Sequence, residues 1–179
     1  MTQGRLFEDP WASGAVMSPC GQYRYLLWRN WDRSRPRALF VMLNPSTGDA
    51  QRDDATIRRC RGYAQAWGFG GFDVTNLFAF RATRPSVLRD YPGDRVGAFA
   101  DMYIGQQAQM ASQVIVAWGG NGDRYVPRVL EVVGVLEQWT LRGALWCIGT
   151  TAGGQPVHPL MQEKTAERVP WNVSMLIGV

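Results

Sequence analysis

Continuous apolar runs alternate along this chain with apolar residues spaced three or four apart. Residues 23–31 (YRYLLWRNW) are aromatic-rich and partly alternating, and residues 38–43 (ALFVML) are apolar throughout. With the turn-like DRSRPR between them, they read as an antiparallel strand pair whose second member is buried on both faces. Ile57, Cys60, Ala64 and Trp67 share one helical face, which predicts a helix over 53–67. Asp53 or Asp54 can cap its start and Gly68 can end it. Strands are expected over 72–80, 113–118 and 144–148, and helices over 94–110 and 126–139, with Pro127 in a first turn. This alternation predicts a single α/β domain over 1–179, three-layer α/β/α, with a mostly parallel central sheet of four or five strands. Residues 1–20 read as an irregular lead-in and 166–179 as a tail.

In sheets of that kind, ligands bind beyond the carboxyl ends of the strands. Four segments follow predicted strands. They are Asn44-Pro45-Ser46-Thr47, Asn76 with Arg81-Ala82-Thr83, Gly119-Gly120-Asn121, and Thr150-Thr151 through His158-Pro159. Asn44 can hydrogen-bond a ligand or orient a water, and Asn-Pro-Ser is also an ordinary turn opener. Asn76 lies within an apolar run, where its amide must pair with backbone or read the edge of a bound base. His158 is the only histidine and can donate to a developing anion or move a proton. Asp53 and Asp54 are open to helix capping, to water activation, or to an ion pair with Arg58 or Arg81.

Composition narrows the classes. The chain has 179 residues, 46% hydrophobic and 19% charged, which suits one globular domain with its own core. The formal net charge is +4, carried almost wholly by arginine since Lys164 is the only lysine. Arginine is the better fork for phosphate, so the balance leans towards DNA or a nucleotide as partner. Cys20, Cys60 and Cys147 lack metal-ligand spacing. The opening MTQGRLFEDPWASG is polar, and no apolar run approaches membrane-spanning length, so the expected location is cytoplasmic. There is no Walker loop, dinucleotide fingerprint, nucleophile elbow or zinc signature, and the expected site uses neither metal nor cofactor.

The segments LNPSTGDAQRDDATIRRC, WGFGGFDVTNLFAFRATRP, VIVAWG and GTTAGGQPVHPL, in that order, resemble an uncharacterised bacterial and phage family, a domain of unknown function. A more distant resemblance is to the uracil-DNA glycosylase superfamily. It rests on Leu43-Asn44-Pro45, Thr75-Asn76 with Arg81, VIVAWG, and His158-Pro159-Leu160. That resemblance implies N-glycosidic cleavage without a cofactor. Asn44 would position water, Asn76 would read the base, and His158 would stabilise the departing anion, with Phe78, Phe80, Trp67 or Trp118 as stacking surface. Leu43 and Leu160 depart from the superfamily pattern, and DDATIRRC has no counterpart in it. The residue types leave open an enzyme for free nucleotides or nucleosides, or a non-catalytic nucleotide or nucleic-acid binder.

Overall fold

A computed structural model describes residues 11–140 and 143–176. Its strands are β1 (Ser13–Met17), β2 (Arg24–Asn30), β3 (Arg37–Met42), β4 (Gly71–Asn76), β5 (Gln113–Val116), β6 (Leu145–Cys147) and β7 (Val169–Trp171). The helices are α1 (Ala55–Ala66), α2 (Pro85–Asp90), α3 (Ala100–Met110) and α4 (Val126–Trp139). All seven strands form one sheet in the order β1-β2-β4-β3-β5-β6-β7. The four central strands run parallel, while β1, β2 and β7 pair antiparallel. The sheet is therefore mixed, not mostly parallel, and larger than the expected four or five strands.

The extra strands come from the chain ends. β1 lies inside the expected lead-in and β7 inside the expected tail. Short edge strands pair by backbone and need little apolar signal, so their sequences read as irregular. Residues 1–10 of the lead-in and 177–179 of the tail lie outside the described residues.

The expected pairing of 23–31 with 38–43 is also corrected. β4 lies between β2 and β3, antiparallel to the first and parallel to the second. Every residue of β4 is buried, so it belongs in the interior of the sheet. Neighbouring strands lie about 4.8 Å apart, so the DRSRPR linker easily crosses one strand position.

β3 shows how the sheet is packed. Leu39 and Val41 join Ile104, Ala108, Val129 and Val132 of α3 and α4. Ala38, Phe40 and Met42 join Ile57, Cys60 and Tyr63 of α1. This strict alternation explains why the run is apolar at every position. α3 begins later than expected, because Gly97 takes a left-handed turn (φ +84°) held by Asp94, whose carboxylate accepts from the Val96 and Gly97 N–H groups.

Candidate active site

A cleft of about 660 Å³ opens at the carboxyl ends of β3, β5 and β6, beside the start of α1. That is ample for a nucleoside-sized ligand. Asn44 follows β3. Its amide nitrogen donates to the carbonyls of Pro45 (3.0 Å) and Ala82 (2.7 Å). Two carbonyl partners fix which end of the amide is nitrogen, and among the described residues they leave Oδ1 as a free acceptor.

Asp54 caps α1. One carboxylate oxygen accepts from Ile57 N–H at 2.9 Å and the other from Gly48 N–H at 3.3 Å. It is the only carboxylate among the described residues of the lining. Arg24, at the start of β2, is 2% exposed and also reaches the lining. It donates to Gly48 O at 2.8 Å and, at 3.5 Å, to Asn76 Oδ1, while its Nε has no partner among the described residues. Burial lowers the Arg24 pKa to about 10, against the opposing charge of Asp54.

His158 enters from the loop after β6. Its Nδ1 accepts from Leu160 N–H at 3.3 Å and caps the short 3-10 turn Pro159–Met161. Burial lowers its pKa, with Asp54 opposing, so the imidazole is neutral at pH 7. With Nδ1 accepting, the ring hydrogen sits on Nε2, which has no protein partner among the described residues. The ring is a neutral donor in the wall of the cleft. Gly119 makes room for it. There φ is positive (+82°), and an added Cβ would lie 3.2 Å from His158 Cβ.

Of the residues expected in a site, Asn44, Ser46, Asp54, Thr151 and His158 share this lining. Asn76 does not; it lies behind Arg24 with its Nδ2 buried and, among the described residues, unpartnered. Arg81 turns to Gly21 O (3.3 Å), Thr47 is exposed, and Phe78 packs edge-on against Tyr125. Asp53 does not pair with Arg58 or Arg81. It bridges Arg29 (2.7 Å) and Arg61 (2.9 Å), while Arg58 donates to the Asp53 carbonyl. Arg24 and Arg84 line the cleft without having been singled out in the sequence. Nothing in the sequence marked Arg24, which opens a strand that also carries Arg29 and Asn30.

A family model matches residues 24–160, which contain β2 to β6 and all of the cleft lining except Met161 and Gln162. The chain belongs to the DUF1643 family, described as proteins of unknown function. No curated protein and no solved structure matches it. The DUF1643 match thus spans Asn44, Asp54 and His158 together with the strands that present them. Among the described residues, no group of histidine, cysteine and acidic side chains could hold a metal ion, and no helix is long and apolar enough to cross a membrane.

Proposed function

We propose that the cleft receives a nucleobase and that the protein hydrolyses the N-glycosidic bond of a nucleoside unit, in nucleic acid or in a nucleotide. The scaffold of this reading is a three-layer α/β/α domain of the uracil-DNA glycosylase kind, working in the cytoplasm. The observation that carries it is the neutral His158, whose Nε2–H is left, among the described residues, without a protein acceptor in a cleft that also holds a free amide oxygen and one carboxylate. In the proposed step the bond between base and sugar breaks and its electron pair leaves on the base. His158 Nε2–H donates to the oxygen where that charge collects. A water held by Asn44 Oδ1 adds to the sugar carbon and gives its proton to Asp54. Leu160 and Met161, 40% and 79% exposed, put apolar surface at the rim, where an unstacked base would meet it.

A plain binding role is the second reading. It is favoured by Asp54, whose oxygens both already accept backbone N–H groups. The deciding experiment is base release from oligonucleotides carrying uracil, hydroxymethyluracil or other modified bases, with free nucleotides in parallel. His158→Ala should lower turnover by about two to three powers of ten, the worth of one preorganised donor. Release that is unaffected by this substitution removes the chemistry. Binding without release selects the second reading.

A further inference from the structure

A second, smaller cavity adjoins the cleft, and the mechanism above does not use it. It measures about 230 Å³ and shares Leu43, Pro85 and Asn121 with the cleft, so the two lie side by side. Its character differs. Where the cleft wall is largely apolar, this annex is lined by Ser86, Arg89, Arg124, Asn121 and Tyr125, and Arg84 stands on the adjoining cleft wall. Arg89 is neutralised by Asp90 through two hydrogen bonds of 2.6 and 2.8 Å. Arg84 and Arg124 are exposed, and among the described residues neither makes a side-chain hydrogen bond or an ion pair. Two guanidinium groups without a hydrogen-bonded partner among the described residues therefore flank a polar hollow beside the base-sized cleft, and Arg124 also feels the Asp90 carboxylate that pairs with Arg89.

We infer that this annex is a phosphate subsite, in which Arg84 and Arg124 take the phosphate attached to the nucleoside unit in the cleft. The proposal rests on the nucleobase reading for what fills the cleft, but not on cleavage. Guanidinium groups match phosphate oxygens in geometry as well as charge. Ser86 and Asn121 add neutral donors on the same wall. The same chemistry could come from the terminal phosphate of a free nucleotide or from a backbone phosphodiester of a strand.

Both sources can be tested without any base. Binding of ribose 5-phosphate and of an abasic single-stranded oligonucleotide would be measured for the wild type, for Arg84→Gln/Arg124→Gln, and for Arg35→Gln/Lys164→Gln. The last removes two surface charges outside both cavities. The Arg84/Arg124 variant should lose tenfold or more in affinity for at least one probe, while the Arg35/Lys164 variant loses less than threefold. If the strand is the source, the slope of log K against log salt should also shrink by about 0.7, the worth of one single-strand phosphate contact. Loss on ribose 5-phosphate alone assigns the subsite to free nucleotides. Equal losses in the two variants, no loss in either, or no binding of either probe by the wild type overturns the subsite. Neither probe carries a base, so failed base release would sink the hydrolase reading and leave this result standing.

Discussion

Asp53→Ala isolates a structural carboxylate from its neighbour in the cleft. The Asp53 carboxylate accepts from Arg29 Nε at 2.7 Å and Arg61 Nη2 at 2.9 Å, and the Arg29 side chain is only 4% exposed. Removing one partner of a buried pair typically costs about 3–5 kcal/mol, because the other charge is left without a counter-ion. Arg29 keeps hydrogen bonds to the carbonyls of Trp28 (2.8 Å) and Asp49 (2.6 Å), which places the expected loss at the low end, about 3 kcal/mol. For a chain of this size that is a fall of about 6–12 °C in Tm. The assay is thermal and urea unfolding of the wild type, Asp53→Ala, Arg29→Met and the double variant, read as a double-mutant cycle. Burial works against the Asp53 charge, but the hydrogen bonds from Arg61 and Arg29 outweigh it and hold the carboxyl below its ordinary range. A depressed carboxyl stabilises the fold above the unfolded value of about 3.9, and that contribution is lost as pH falls through the native value. The wild-type advantage over Asp53→Ala should therefore shrink below about pH 4. A Tm change under about 2 °C, or additive single effects, would refute the ion-pair argument.

The remaining expectations concern His158 and its neighbour. Burial lowers the His158 pKa, so the neutral donor persists at pH 7 and above; base release should fall only on the acid side, below about pH 6.5. Stability follows the same sign, lost as pH drops below the unfolded value; Asp54→Asn should move this acid limb of stability lower still by removing the charge that favours the imidazolium, and should abolish base release by removing the group that takes the water's proton. Gly119→Ala should cost about 1–3 kcal/mol, because its extended backbone at positive φ is essentially a glycine-only conformation, and should reduce turnover by crowding His158, both read by melting and kinetics. Gly120→Ala, whose Cβ would meet Thr151 Cγ2 at an ordinary 3.5 Å, is the matched control.

Periodicity revealed the elements that carry their own hydrophobic signal. Val126–Trp139 is helical over the expected range, and α1 starts at the expected Asp54 cap. What it missed was set by partners distant in sequence. β4 inserts between β2 and β3 because it is buried at every position, and a linear pattern does not rank strands by burial. Sheet-edge rules drew attention to Asn44 and His158, which line one cleft. They also pointed to Asn76, whose register beside Met42 places it behind Arg24 instead. Arg24 went unremarked because an arginine's depth cannot be read from its neighbours along a strand. YRYLLWRNW would look the same with its guanidinium groups in solvent.

The two arginines of β2 make a contrast that bears on the cleft. Arg24 and Arg29 are 2% and 3% exposed, five positions apart on one strand. Arg29 has a carboxylate at 2.7 Å; Arg24 has no ion pair among the described residues, a weak contact to Asn76 and an orphaned Nε. Lowering the Arg24 pKa from 12.5 to about 10 means that the folded state disfavours its charge by about 3 kcal/mol at neutral pH. Its one short hydrogen bond, to Gly48 O, returns about 1.5–3 kcal/mol. A side chain held mainly for stability would not be left in that balance. One held to meet a ligand oxygen in the cleft gains its missing partner only when the ligand is bound. Arg24→Met should therefore leave Tm within about 3 °C of the wild type or raise it, where Arg29→Met lowers it by about 6 °C or more. The same Arg24→Met protein should bind nucleotide or oligonucleotide at least tenfold more weakly. Equal destabilisation by the two substitutions, with binding intact, would make Arg24 a structural residue and remove it from the floor of the site.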